Sequence, residues 1–197
     1  MKKGFIRNFE PLKILSEEKV KKIHNGVLYV LENTGVKFKS KKALDLFEDN
    51  SCKVDRKTMT VKFSPGLVEN CLKKVPSSFR VKSRDPDNDM IIGGDTVYFE
   101  ASVGQDFFDL DTRKMRPATL KENTEGVTVL DALENVHSLL SYCPYMNLAG
   151  VPPALQITTS AACRFKYSTK ISRAAHFSGS EQFTIKMAYA ANLDQIL

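Results

Sequence analysis

VHSLLSYCPYMNLAGVPPALQITTSAACRFKY, residues 136–167, is the stretch that decides the fold class. Its apolar beginning, Val136–Leu148, is predicted to contain a strand, and the double proline Pro152-Pro153 introduces a helix running to about Tyr167. A second strand is predicted over Ile171–Phe177, and Ser180 has the N-cap position of a further helix. Because strand, helix, strand and helix follow one another, the sequence predicts the α/β class with a parallel sheet.

Upstream of this stretch, residues 1–117 are predicted to form an N-terminal segment of helices and short strands. Serines at N-cap positions precede three helical runs, at Ser16, Ser40 and Ser64. Residues 79–117 instead contain short strand-like runs separated by turn sequences, which predict a β-meander. These runs are Phe79–Ser83, Met90–Ile92, Thr96–Glu100 and Asp106–Leu110.

The capping box formed by Thr119 and Glu122 opens the first helix of the second segment. We therefore expect two parts, residues 1–117 and residues 118–197. Two strand–helix units leave the edge of a parallel sheet uncovered. On that ground we expect the chain to be the N-terminal portion of a larger α/β protein.

Composition and cysteine usage exclude several classes of protein. Hydrophobic residues make up 42% and charged residues 26% of the 197, which is ordinary for a globular protein. The sequence has neither a membrane-spanning apolar run nor the apolar core of a signal peptide, so we expect a cytoplasmic protein without a membrane partner. The four cysteines are scattered, which predicts reduced thiols and no bound metal.

The charge is distributed unevenly along the chain. Residues 1–84 carry a net charge of +11, and residues 85–197 carry −5. The basic half could bind an acidic protein, and this gives the alternative function of a non-catalytic α+β module. However, the lysines are spread over predicted helix surfaces and turns, which favours solvated faces. No nucleic-acid-binding motif organises them, so we expect no nucleic-acid partner.

Five stretches in order resemble the trimethylamine methyltransferase family of corrinoid-dependent methyltransferases, which includes glycine betaine methyltransferases. They are IHNGVLYVLENTGVKF (23–38), VPSSF (75–79), SRDP (83–86), GGDTVYF (93–99) and DLDTRKMRPAT (109–119). The resemblance extends through nearly the whole chain. The sequence departs from the family pattern at residues 101–104, where relatives often have a loop richer in glycine.

The resemblance implies a TIM barrel that follows an N-terminal helical and β segment. Residues 118–197 would then be the opening βα units of an incomplete barrel, and this chain alone is expected to be inactive. Such enzymes move a methyl group from a methylated amine to the cobalt of a separate corrinoid protein. No cofactor is therefore expected to bind this chain directly, and the expected partners are the cognate corrinoid protein and, in the full-length protein, further copies of itself. The substrate stays open between trimethylamine and a quaternary amine such as glycine betaine.

The resemblance also directs attention to an aromatic and acidic cluster. When cobalt(I) attacks a methyl of a quaternary ammonium, a neutral tertiary amine leaves, so the protein needs to desolvate and orient the cation. Aromatic faces and a carboxylate suit that task. Tyr98, Phe99, Glu100, Phe107 and Phe108 combine these groups. The alternative is that these aromatic residues simply fill a core between strands.

Barrel geometry implies two further candidates, because sites of TIM barrels gather at the carboxyl ends of the strands. His176 falls near the end of the second predicted barrel strand, where it serves either in the site or as a hydrogen-bonded barrel residue. Asn147 follows the first such strand, whereas His137 lies at the opposite end. The sequence assigns no catalytic residue, and no nucleotide-binding glycine pattern occurs.

Overall fold

The computed structural model describes residues 4–173, 179 and 181–190. They combine helices with short strands, as expected for the α/β class. The α-helices are α1 Glu17–Asn33, α2 Lys41–Asp49, α3 Pro65–Leu72, α4 Leu120–Ala132, α5 Gln156–Tyr167 and α6 Glu181–Ala190. Short 3-10 helices occur at Pro86–Asn88 and Pro153–Leu155.

The strands contain two or three residues each. They are β1 Phe5–Ile6, β2 Val36–Lys37, β3 Lys53–Asp55, β4 Thr60–Lys62, β5 Phe79–Val81, β6 Met90–Ile92, β7 Thr96–Val97, β8 Glu100–Ala101, β9 Phe107–Asp109, β10 Lys114–Arg116, β11 Ser138–Leu139 and β12 Ile171–Ser172. The chain divides into two compact units, Phe9–Ser77 and Met1–Asn8 with Ser78–Leu197. The expected division into residues 1–117 and 118–197 stays a prediction.

The unit Phe9–Ser77 combines helices α1 to α3 with an antiparallel sheet in the order β2-β4-β3. Its core contains Leu44, Cys52 and Val61, with phenylalanine rings packed around them. The predicted N-caps are confirmed, because the side chains of Ser16, Ser40 and Ser64 each accept a backbone N–H three residues later.

The other unit contains a parallel sheet in the order β8-β11-β12, with β11 in the centre. Ser138 on β11 is in register with Glu100 on one side and Ile171 on the other. Helix α4 lies between β8 and β11 in the sequence, and α5 lies between β11 and β12. The predicted alternation of strand and helix is thus confirmed for residues 136–172. The described strands form no closed barrel.

The two faces of the parallel sheet differ in what covers them. On one face, Leu139 packs with Val127 of α4 and Cys143, and Ser172 accepts a hydrogen bond from Arg164 of α5. Side chains alternate along a strand, so Glu100, Ser138 and Ile171 share the opposite face. We call this opposite face the inner face.

The predicted β-meander over residues 79–117 is wrong. β5 pairs with β6 and β9 with β10, but β7 pairs with β1, and β8 joins the parallel sheet beside β11. A two-residue strand is too short to show its pairing by alternation, and the partner of β8 lies 38 residues further along the chain. The stretch Val136–Leu148 contains a strand as predicted, namely Ser138–Leu139. No helix among the described residues is long and apolar enough to cross a membrane.

Candidate functional site

A cavity of about 600 Å³ lies against the inner face of the parallel sheet. Its volume is in the range of small-molecule sites. Apolar side chains make up much of its wall, namely Phe79, Val81, Met90, Ile91, Ile92 and Ile171. Tyr98, Glu100, Ser138 and Arg173 add polar groups. The cavity therefore combines an apolar wall with a few convergent polar groups.

The polar groups of this cavity form a chain of contacts across three neighbouring strands. Glu100 Oε1 lies 3.1 Å from Nη1 of Arg173, which follows the last residue of β12. Ser138 on the central strand donates its hydroxyl to Glu100 Oε2 at 3.1 Å. The Glu100 side chain is 27% exposed and the Arg173 side chain 66%, so the carboxylate is held in the wall while the guanidinium faces solvent.

Tyr98 fixes one side of the cavity. Its hydroxyl oxygen accepts the backbone N–H of Ile91 at 3.1 Å, and its ring meets the His137 ring edge-on, with centroids 5.4 Å apart. The hydrogen bond ties Tyr98, which follows β7, to Ile91 of β6, and both residues contribute to the wall. Tyr98 and Glu100 are the predicted site residues that the structure brings together in one cavity.

Phe99 lies between these two residues but takes part in a different cluster. Its backbone N–H donates to His137 Nδ1 at 2.9 Å, and its carbonyl accepts the His137 N–H at 2.8 Å. The Phe99 ring contacts the rings of Phe5 and His137. Phe99 is 55% exposed and Phe5 45% exposed, so these ring contacts lie at the surface and do not fill a core.

The phenylalanines of β9 lie in a charged hairpin. The Arg116 guanidinium lies over the Phe107 ring, 4.6 Å from its centroid, and forms ion pairs with Asp109 and Glu122. The backbone N–H of Thr112 and the Arg116 guanidinium lower the pKa of Asp109 to about 2. The Arg116 guanidinium and, to a lesser degree, the Thr119 N–H lower the pKa of Glu122 to about 2. The ring of Phe107 is thus already occupied by a cation of the chain itself.

The other predicted residues of this group lie apart from the cavity. Phe108 is half-exposed and pairs with Met115 across the hairpin of β9 and β10. Asn147 lies eight residues after the end of β11 and donates its side-chain N–H to Asp106 Oδ1 at 2.8 Å. His176 lies outside the described residues, so its role stays a prediction.

The sequence analysis did not single out three polar residues, Asp106, Ser138 and Arg173. Asp106 and Ser138 look like ordinary turn and strand residues in the sequence. Arg173 reaches Glu100 only because β8 and β12 are both neighbours of β11. Knowledge of the parallel register would have grouped Ser138 and Arg173 with Glu100, but the meander interpretation placed β8 in another sheet.

The side of the sheet that faces the helices is closed. Arg164, 1% exposed, donates from Nε to Ser172 Oγ at 2.6 Å and from Nη1 to Ser160 Oγ at 2.7 Å. Burial lowers the pKa of Arg164 to about 10 and raises that of the Cys143 thiol to about 11. These groups stabilise the packing of α5 on the sheet. Among the described residues, no group of three or more His, Cys, Asp and Glu side chains is arranged to hold a metal ion.

Comparison with known proteins identifies the class. The family model described as trimethylamine methyltransferase matches residues 1–180. The chain therefore belongs to the trimethylamine methyltransferase family.

Curated relatives agree with this assignment. A trimethylamine methyltransferase of Desulfitobacterium hafniense is 33% identical over 126 residues, which are 64% of this chain and 25% of the relative. A glycine betaine methyltransferase of the same species is 34% identical over 125 residues, 63% of this chain and 26% of the relative. A trimethylamine methyltransferase of Methanosarcina mazei is 36% identical over 74 residues, 38% of this chain and 15% of the relative. The aligned region thus spans about a quarter of the length of the first two relatives.

Proposed function

We propose that this protein takes part in methyl transfer from a methylated amine to the cobalt of a corrinoid protein. The observation that carries the proposal is the family match over residues 1–180. The names of the relatives, trimethylamine methyltransferase and glycine betaine methyltransferase, supply the methylated amine as substrate. The corrinoid acceptor is the part of the proposal that comes from the family resemblance alone.

The proposed architecture is a TIM barrel in which β8, β11 and β12 are consecutive parallel strands, so that the barrel would begin at β8 and not at residue 118 as expected from the sequence. Two features support this assignment. The strands follow one another in sheet order with helices between them, and their helix side is packed while their inner face carries polar groups. In such a barrel the inner face would line the barrel interior.

The cavity on the inner face offers suitable groups for a methylated ammonium. The Glu100 carboxylate would balance the positive charge, and the Tyr98 ring offers an aromatic face. The apolar wall would strip water from the methyl groups and limit their orientations. Reduced corrinoid cobalt supplies the nucleophile, while the amine nitrogen keeps the electron pair of the broken carbon–nitrogen bond. No proton from this chain is needed when the substrate is a quaternary amine.

Methyl transfer can be tested directly with a reduced corrinoid protein. Two proteins are compared, the chain itself and a chimera in which it replaces the matching N-terminal part of the D. hafniense trimethylamine methyltransferase. Each is incubated with trimethylamine or glycine betaine, and the demethylated amine is measured by mass spectrometry. We expect the demethylated amine with the chimera and none with the chain alone.

A folded chimera that binds the amine but never yields the demethylated product would contradict the proposal. A chimera with Glu100→Gln should lose most of the activity, whereas Arg80→Gln is the matched control, because Arg80 pairs with Asp89 outside the cavity wall. Salt-sensitive binding of an acidic protein by an inactive chain would support the alternative module instead.

A further inference from the structure

A pair of lysines in the unit Phe9–Ser77 has no part in the proposed function. We propose that Lys53 and Lys62 form a second binding site, which takes the phosphate group of a small phosphomonoester. The site lies on the outer face of the sheet β2-β4-β3, the face opposite the buried Val61. It belongs to this unit alone and goes beyond methyl transfer.

The register of the sheet places the two lysines side by side. Lys53 of β3 is directly opposite Lys62 of β4 in the antiparallel pair. Val54 and Val61, the neighbouring residues in each strand, pack in the core, so both lysines point away from it. Directly opposite residues have Cβ atoms about 4.5–5.5 Å apart. The two ammonium groups can therefore reach the same ligand.

The lysine pair lacks a counter-charge within the chain. Like charges directly opposite each other destabilise a sheet. Neither Lys53 nor Lys62 takes part in an ion pair among the residues that the structure describes. An anion bound between the two ammonium groups would turn their repulsion into two attractions.

The end of helix α1, which lies nearby, does not need these charges. Lysine side chains near a helix C-terminus often bind its last carbonyl groups. Here backbone N–H groups already do so. The carbonyl of Val30 accepts the N–H of Thr34 at 2.9 Å. The carbonyl of Leu31 accepts the N–H of Phe63 at 3.1 Å. The ammonium groups are thus available to a ligand.

A cavity of about 410 Å³ adjoins the lysine pair. Its wall contains both lysines together with Thr34, Thr58 and Thr60. Within the described part of the chain the Thr34 hydroxyl has no hydrogen-bond partner, so it can donate to a ligand. The volume lies in the range of small-molecule sites. Two cations and a hydroxyl donor therefore border a space that accommodates a small organic molecule.

Backbone contacts orient the charged groups of this wall. Asp55 is held at the turn after β3, because its Oδ1 accepts the backbone N–H groups of Lys57 at 2.9 Å and Thr58 at 3.3 Å. The turn amides thereby compensate the one negative charge of the wall. The stem of Lys62 packs against Gly35, since a Cβ at Gly35 would lie 2.9 Å from Lys62 Cγ. The positive charge of Lys62 is therefore presented from a supported side chain.

The balance of charge indicates the class of ligand. Two ammonium groups match a dianion. A phosphate monoester carries a charge of about −1.5 to −2 at pH 7, whereas a carboxylate or a phosphodiester carries a single negative charge. Lysine binds phosphate as a point charge and does not require the planar geometry of a guanidinium–carboxylate pair. The remainder of the phosphomonoester would then occupy the cavity.

Chemical-shift titration of the full ¹⁵N-labelled chain tests the site with two probes of similar shape. Methyl phosphate is mainly a dianion at pH 7.5, and dimethyl phosphate is a monoanion. At constant ionic strength we expect methyl phosphate to cause saturable changes at Lys53, Thr60 and Lys62. Its affinity should be at least about tenfold higher than that of dimethyl phosphate. Equal affinities for the two probes would overturn the inference.

Two variants and a matched control distinguish a site from diffuse attraction. Lys53→Gln and Lys62→Gln should each weaken methyl phosphate binding by about tenfold, because each removes one of the two ammonium groups. Lys42→Gln removes the same charge from α2, whose Leu44 packs on the core side of the sheet. It should change the affinity by less than about twofold. Equal losses in all three variants would show diffuse attraction and overturn the site.

Urea unfolding supplies a second readout. Because the opposed lysines repel each other, Lys62→Gln should raise the urea concentration at the unfolding midpoint when no phosphate is present. Methyl phosphate should raise the midpoint of the parent chain but not that of Lys62→Gln. A response to methyl phosphate that persists in Lys62→Gln would overturn the proposal. None of these measurements depends on methyl transfer, so this site and the proposed function fail on different results.

Discussion

Glu100 and Arg173 form an ion pair across the central strand of the parallel sheet, although 73 positions separate them in the sequence. The contact exists because β8 and β12 both lie beside β11, where Ser138 joins them through a hydrogen bond to Glu100. Three neighbouring strands thereby contribute one polar group each to the same cavity. The sheet register, rather than any local motif, creates this site.

Acid should destabilise the chain through the Arg116 network. The pKa values of Asp109 and Glu122 are lowered to about 2 in the folded chain, whereas unfolded carboxyl groups titrate near about 4. Their stabilising effect is therefore complete above the unfolded values and is lost as the pH falls from about 5 towards 2. Urea unfolding at a series of pH values measures this loss.

The double variant Asp109→Asn, Glu122→Gln should show a shallower loss of stability over the same pH range. Glu125→Gln is the control, because Glu125 lies 3.7 Å from Lys121 on the exposed face of α4. Such exposed pairs add little to stability. Equal pH slopes for the double variant and the parent would contradict the assignment.

Gly126 in α4 should be needed for the close approach of the loop after β11. A Cβ at this position would lie 2.6 Å from Pro144 Cγ. We expect Gly126→Ala to lower the free energy of unfolding by about 1–3 kcal/mol, because overpacking outweighs the better helix propensity of alanine. Gly26→Ala is the matched control, since nothing lies within 4 Å of a Cβ there. Gly26→Ala should instead raise the free energy of unfolding by up to about 1 kcal/mol. If both substitutions change the free energy of unfolding in the same direction, the packing argument for Gly126 is wrong.

The capping box at the start of α4 should make a measurable contribution to the free energy of unfolding. Glu122 N–H donates to Thr119 Oγ1, and the Glu122 carboxylate accepts the Thr119 N–H. Thr119→Ala should lower the free energy of unfolding by about 1 kcal/mol. Thr128→Ala removes only a hydroxyl that donates to the Thr124 carbonyl within the helix, so its effect should stay within about 0.5 kcal/mol. If chemical denaturation shows that both variants lose the same free energy of unfolding, the Thr119 cap does not stabilise the helix.

Thiol reactivity should separate the exposed cysteine from the buried ones. Cys71 is exposed, whereas Cys52, Cys143 and Cys163 are buried. Burial also raises the pKa of Cys143 to about 11, so little thiolate forms at neutral pH. An aromatic disulfide reagent should label one thiol quickly in the native chain and the others only on unfolding. Cys71→Ser should abolish the fast phase, and a fast phase that persists would show that a buried thiol is accessible.

Local signals were sufficient for the helix starts but not for the strand pairings. Ser16, Ser40, Ser64 and Thr119 were predicted as caps because a capping hydrogen bond joins residues only three apart. The partner of β8 lies far along the chain, and a strand of two residues carries no alternation to reveal it. Long-range pairing of short strands is therefore what the sequence could not supply.

The candidate site shows the same limit. Tyr98 and Glu100 were predicted from their chemistry, and the structure places both in the cavity wall. Phe99 is next in sequence to both, yet it is not part of the cavity wall, because successive side chains of an extended segment point to opposite faces. Arg173 had no local signal, since only the sheet order brings it to Glu100.

Binding of a methylated amine at the inner face of the parallel sheet, as proposed, can be measured by chemical-shift mapping. Glycine betaine is titrated into the ¹⁵N-labelled chain, and the backbone amide signals are followed. We expect the largest saturable changes at Glu100, Ser138 and Arg173, and we expect Arg173→Gln to diminish them. Saturable changes confined to the unit Phe9–Ser77, or no changes at all, would contradict it.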